Sequence, residues 1–274
     1  MARRTQQQKL VSLFAADGMT LDPALIPTDT AVSTYALIRD ETAERKAATF
    51  LLGDNLERTT QGGGIYTYTS QQGAAAFRDT GSFDAAGSLS QENAEAFCRD
   101  FCKAFSYDTP IFTLDETGSG TATAVRLWSG TPVFNAAVTF TIDQGRVLSA
   151  SGALLPETGA ETSSGQKPLS AFAALTAFQQ MRHASSSVVS SITEVSLCYE
   201  LQSTTAAPMA LVPSWRIVTD TATFYVKYAI LTPIIMSGTV HFFSGCMKCQ
   251  PDGQTNPGAR LSPRKRIPET RSER

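Results

Sequence analysis

The stretch that decides the fold reads Ala122-Thr-Ala-Val-Arg-Leu-Trp128, Ser129-Gly130, Thr131-Pro-Val-Phe-Asn-Ala-Ala-Val-Thr-Phe-Thr-Ile142, Asp143-Gln-Gly145, Arg146-Val-Leu-Ser-Ala-Ser-Gly-Ala153. Apolar and polar residues largely alternate, which is the period of a half-buried strand. Ser129-Gly130 and Asp143-Gln-Gly145 are too short to carry a crossover to a parallel neighbour, so they read as hairpin turns. With Ile111–Asp115 ahead, these segments predict a four-stranded antiparallel meander.

A helix precedes that meander. Ala94, Phe97, Cys98, Phe101, Cys102 and Phe105 recur at i, i+3, i+4 spacing and give one apolar stripe. Ser90 to Asn93 supplies cap character at its start. The same order of helix then strands occurs twice more. A helix over Asp40–Leu52 places Leu37, Ala43, Ala47, Phe50 and Leu51 near one face, ends at Gly53, and is followed by strands over Leu56–Thr60 and Ile65–Ser70, with residues 74–80 a candidate third. A third helix begins with Pro168 in its first turn and runs to about His183. Strands near Ser191–Leu201, Leu211–Thr219 and Ala222–Val226 follow it.

Helices segregated from antiparallel strands define an α+β fold of repeated helix-plus-sheet modules. The boundaries fall at 1–27 (a juxtamembrane-like segment), 28–88, 89–155 and 167–226 (three modules), and 227–274 (a basic tail read as disordered). Pro156 to Gln166 reads as a linker. Tyr228 to Met236 has strand character interrupted by Pro233.

The chain has 274 residues and a formal net charge of −2, which hides an asymmetry. Residues 227–274 hold eight basic and three acidic residues, whereas residues 1–226 hold 15 basic and 22 acidic. The acidic body argues against nucleic acid as a partner. The run Arg264-Lys265-Arg266 lies in the tail and gives no ground for nucleic-acid or lipid binding. No segment reaches the ~18–20 apolar residues that span a bilayer. Gln6 to Phe14 reads as a short helix that suits a juxtamembrane stalk or a frayed end.

Residue types with chemistry are few. Five cysteines leave a disulfide framework incomplete. Cys98 and Cys102 share a helix face in poor geometry for a disulfide and read as core residues. Cys246-Met-Lys-Cys249 is a lone CxxC near His241, a weak zinc signal without a second pair. The other histidine, His183, ends a helix, where a cationic group complements the dipole. No Gly-x-Ser-x-Gly elbow accompanies it. Gly62-Gly63-Gly64 precedes a strand, not a helix, so it is a hairpin turn rather than a phosphate loop. Asp115 to Gly120 is a polar turn without calcium-loop spacing. No cofactor or metal site follows from these residues.

Arg126–Asn135, Val138–Val147 with Ser151-Gly152, Ile192–Tyr199, Leu211–Ile217 and Thr223–Val226 together resemble the YycH/YycI family of two-component-system regulatory proteins. The later region has a PepSY-like helix-plus-hairpin pattern. The likeness spans about residues 90–226, and Asp17-Gly18-Met19 with Ile26-Pro27 is similar to the family's start. Its structural signature is Trp128, Gly130, Pro132, Phe134, Gly145 and Gly152 in the second module, then Tyr199, Pro213, Trp215 and Tyr225 in the third. Trp128 and Trp215 read as anchors of apolar faces, and Pro213 as a strand edge or start.

The resemblance implies a non-enzymatic protein on the extracytoplasmic face of the cell membrane. Its partners would be a sensor histidine kinase controlling cell-wall metabolism in Gram-positive bacteria and, as a second candidate, a paralogous regulatory protein. Family members are anchored by one N-terminal transmembrane helix, which this sequence lacks. The tail after Val226 also departs from the family. The alternative reading is a PepSY-like inhibitory or chaperone module acting on a protease or cell-wall enzyme.

Overall fold

Both short turns of the central meander adopt mirror-image type I′ geometry. Ser129 and Gly130 have φ of 48° and 80°, and Gln144 and Gly145 have 48° and 75°. That turn matches the right-handed twist of the strands it joins. The computed structural model describes residues 2–27, 32–90, 93–162, 169–185, 188–204 and 207–227. Residues 236–274 form a separate unit that lies wholly outside the described residues. So do Tyr228 to Ile235, Cys246, Cys249, His241 and Pro168, and with them the expectations placed on the tail.

The described helices are α1 (Ala2–Ala16), α2 (Glu41–Leu52), α3 (Ala94–Ala104) and α4 (Ala171–Ser185). The strands are β1 (Thr20–Leu21), β2 (Thr34–Leu37), β3 (Glu57–Thr60), β4 (Ile65–Ser70), β5 (Gly73–Arg78), β6 (Ser82–Gly87), β7 (Ile111–Leu114), β8 (Gly120–Trp128), β9 (Thr131–Asp143), β10 (Arg146–Ala153), β11 (Ala160–Thr162), β12 (Ser191–Thr204), β13 (Ala207–Thr219) and β14 (Thr223–Lys227). Asp40 caps α2 by accepting from the Thr42 and Ala43 amides at 2.9 and 3.1 Å. Gly53 ends that helix at φ 81°. Asn93 caps α3, and the Ser170 hydroxyl accepts from Ala173 at the start of α4.

All fourteen strands join one sheet, ordered β11-β2-β13-β12-β9-β10-β6-β5-β4-β3, with β8 and β7 beyond β9, β14 on β13 and β1 on β12. It divides into two halves. The first, β7-β8-β9-β10-β6-β5-β4-β3, is antiparallel throughout. α2 and α3 cover one face of it. Phe101 of α3 centres an aromatic cluster with Phe50, Phe83, Phe105, Tyr107 and Phe140. The second half is built on the long β12–β13 hairpin and is covered by α1 and α4. Phe178 of α4 lies between Phe14 of α1, at 6.3 Å, and Phe224 of β14, at 5.0 Å.

Several expectations change. The first two modules do not have separate sheets, because β6 pairs with β10 and fuses them. The α+β class stands, but clear repeated modules do not emerge. Leu37, expected on the first helix, is buried in β2, which pairs with β13 of the third module. The expected linker contains β11, paired to β2. The N-terminal segment is docked rather than stalk-like: Leu10 and Phe14 are buried, and β1 runs parallel to β12. Pro213 lies inside β13, not at its start. On one side of β13, Met209–Leu211 pair with β2 and Ser214–Val218 with β14, so Pro213 falls where the neighbour changes and its missing amide hydrogen leaves no gap in either ladder.

The two halves meet at β9. Between Val125↔Ala137 and Arg126↔Val133 its register slips, leaving Phe134, Asn135 and Ala136 without partners on β8. Asn135 uses its amide to pair with Leu201 of β12, accepting from the Leu201 amide and donating to its carbonyl, both at 2.8 Å. Opposite the bulge, Arg126 is 3% exposed. It donates to the carbonyls of Ser106 and Leu127 at 2.6 and 2.8 Å and towards that of Leu155 at 3.4 Å.

Arg126→Met removes these bonds and leaves the carbonyl of buried Leu155 without the guanidinium. It should reduce the unfolding free energy by about 2–4 kcal/mol, read as a lower urea midpoint. Asn135→Ala removes an exposed pair and should cost about 1 kcal/mol in the same assay.

Candidate functional site

Signature residues from both halves gather at this joint. Trp128 packs 5.4 Å from the ring of Tyr35, and Tyr35 lies 6.1 Å from Tyr199. Tyr199 pairs with Pro213 across the hairpin and with Val133 across the joint. Phe134, thrown out by the bulge, stacks on Tyr225 at 3.9 Å. Trp215 anchors the second half by donating its indole N–H to the Leu169 carbonyl at 2.7 Å. Gly152 faces Ala137, where a Cβ would meet the carbonyl oxygen at 2.2 Å. Gly130 and Gly145 hold the two turns, and Pro132 pairs with Leu127 on the exposed side of β9.

The groups with intrinsic reactivity are held by structure. Cys98, Cys102 and Cys198 are buried free thiols. Burial pushes each thiol pKa up to about 12. His183 is partly exposed, and its Nε2 lies 3.0 Å from Asp17 Oδ2. Arg182 approaches the same oxygen at 3.4 Å, and Gln179 donates to it. Asp17 follows α1 and all three partners sit on α4, so this cluster tethers α1 to α4. Among the described residues, no group of three or more His, Cys, Asp or Glu is placed to hold a metal.

A more open cluster lies where α2 crosses β3 and β4, and nothing in the sequence singled it out. The Tyr66 ring is sandwiched between the guanidinium groups of Arg39 and Arg58, each 3.9 Å from its centroid. Such stacking is favourable because the ring face carries negative charge density. Glu41 accepts from the Tyr66 hydroxyl and from Arg58, both at 3.0 Å. Arg39 reaches Glu44 through two bonds, at 2.6 and 2.9 Å, and also donates to the Gly64 and Phe77 carbonyls. Burial raises the Glu44 carboxyl above its usual range, with Arg39 opposing the shift. Burial likewise raises Tyr68, against Arg58, so Tyr68 stays a neutral phenol at pH 7.

Beside this network an open groove of about 410 Å³ is lined by Glu41, Thr42, Arg45, Leu56, Arg58 and Tyr68. Its walls come from α2 and the β3–β4 hairpin. The sequence signal for it is slight. Tyr66 and Tyr68 share a strand face, and Arg58 stands opposite Tyr68 in the register, but only helix docking brings Arg39, Glu41 and Arg45 to them.

No family model matches this chain, and no curated protein matches it. Among solved structures, an uncharacterized protein from Eubacterium rectale ATCC 33656 superposes with a TM-score of 0.39 at 13% identity, over 75% of this chain and 80% of its own. The Bacillus megaterium YpeB C-terminal domain gives a TM-score of 0.30 at 12% identity, over 69% of this chain and 92% of its own. Both likenesses are partial and assign no activity.

The thiolate is the reactive form of cysteine, and at pH 8 a pKa near 12 leaves about one thiol in ten thousand ionised. An unfolded cysteine is about one quarter ionised at that pH, so iodoacetamide should modify Cys98, Cys102 and Cys198 at least about 100-fold more slowly in the folded protein than in urea, measured by peptide mass spectrometry.

Proposed function

We propose that this chain is a non-enzymatic regulatory module that works by binding another protein. Its partner in this reading is a membrane sensor histidine kinase of a two-component system controlling cell-wall metabolism, met on the extracytoplasmic face of the membrane. The observation that carries the reading is how its side chains are used. The described thiols are buried and His183 is bound to Asp17, while the eight-stranded half of the sheet presents a face that no described element covers. There Thr121, Thr123, Thr141 and Ser151 are exposed on neighbouring strands, opposite the face that α2 and α3 cover. A broad, shallow, small-residue polar face offers contact area without a reaction cleft.

The resemblance of residues 90–226 to YycH/YycI proteins, with its PepSY-like pattern, supplies the identity of the partner. A kinase encoded beside this gene is the one to test. Co-purification of the full-length gene product with that kinase from membranes, together with a change in kinase autophosphorylation, is the expected result. No association and unchanged kinase output would sink the reading.

A further inference from the structure

We infer that the groove beside α2 and the outer edge of β3 together form a docking site for an extended acidic segment of a partner protein, which adds to the sheet as a further strand. The inference rests on the reading of the chain as a protein-binding module and names the chemistry of one segment it binds.

Three observations combine. First, β3 pairs only with β4 among the described residues, so its other edge offers backbone donors and acceptors. Gln61 donates to the Ile65 carbonyl at the end of the hairpin. Hydrogen-bonded and non-bonded pairs alternate along an antiparallel ladder. Thr60↔Tyr66 and Arg58↔Tyr68 are therefore non-bonded pairs, and the N–H groups of Thr60 and Arg58 face outward. Every residue of β3 is exposed. An added strand is the known way to satisfy such an edge, with alternate side chains entering pockets on one face.

Second, the pocket for those side chains is present. The 410 Å³ groove opens on the inner face of β3, the face that bears Arg58, with Leu56 and Tyr68 as its apolar part. Third, its charge selects the ligand. Arg45 is exposed and makes no ion pair among the described residues, and Arg58 is 40% exposed at its side chain. The one acid in the lining, Glu41, has its two oxygens engaged by Tyr66 and Arg58. An incoming carboxylate meets Arg45 directly and joins Arg58 at the rim. A basic segment would meet two guanidinium groups with no unengaged carboxylate in the lining.

The test uses the full 274-residue chain and a fluorescein-labelled peptide of alternating glutamate and valine, about twelve residues long, with its lysine–valine counterpart as control. Fluorescence anisotropy should show the acidic peptide binding at least about tenfold more tightly than the basic one, and weakening as salt rises. Arg45→Glu reverses the exposed charge, and Thr60→Pro removes an outward N–H without breaking the β3–β4 ladder. Each should reduce affinity about tenfold or more while the circular dichroism spectrum is retained. Equal binding of both peptides, preference for the basic one, or unchanged affinity in a folded Arg45→Glu variant would overturn the inference. So would a dimer in sedimentation that Thr60→Pro abolishes, because the edge would then be filled by a second copy. Failure here leaves kinase association intact as a separate measurement.

Discussion

The structure depends on what happens opposite Arg126. There β9 passes from the ladder of the first half to the edge of β12 in the second. Slipping the register puts Phe134, Asn135 and Ala136 outside the β8 ladder, and each is used at the joint. Ala136 is buried in it, Asn135 imitates a backbone pair with Leu201, and Phe134 covers Tyr225. Arg126, beside the bulge, reaches the carbonyls of Ser106, Leu127 and Leu155. A guanidinium has five N–H groups in a rigid fork, which is why one Arg can serve carbonyls from three segments where a Lys could not. A buried cation without a carboxylate partner is costly, and here carbonyl dipoles and the face of the Tyr107 ring, 5.6 Å away, carry the compensation.

This constraint explains which parts of the fold were legible. Hairpins of the meander are local, so alternation and turn residues placed β8, β9 and β10 within two residues of their observed ends. Helix stripes behaved the same way, and Cys98, Phe101 and Cys102 are buried as their spacing required. What failed was non-local. β1, β2 and β11 are two to four residues long, too short to show a period, and they exist only because longer strands offer them an edge. Pro213 misled for a related reason: the rule against proline in a strand concerns its neighbour, and the sequence does not show where that neighbour changes. Trp128, Tyr199 and Trp215 are large side chains in the buried clusters. The groove was not legible, because a helix and a hairpin strand supply its charges from positions that share no spacing.

The joint also bears on function. Because β9 is shared and β2 from the first module pairs with β13, neither half can move without disturbing strands of the other. In the binding reading proposed above, the joint leaves the polar sheet face and the β3 edge outside. α1 is fixed by one face. Leu10 and Phe14 are in the core, and Asp17 is held by three residues of α4.

Net charge is a poor guide at this scale. Residues 1–226 carry 15 basic and 22 acidic residues, which at long range would repel an acidic segment. Screening limits that field to about 8 Å at physiological ionic strength. Inside this distance the groups that matter are those lining the groove, where Arg45 is unpaired among the described residues and Glu41 is already engaged. The long-range repulsion slows encounter, and the local guanidinium groups set the affinity once contact is made. An acidic body with a basic groove thus discriminates by position: carboxylates are accepted beside β3 and disfavoured over the rest of the surface.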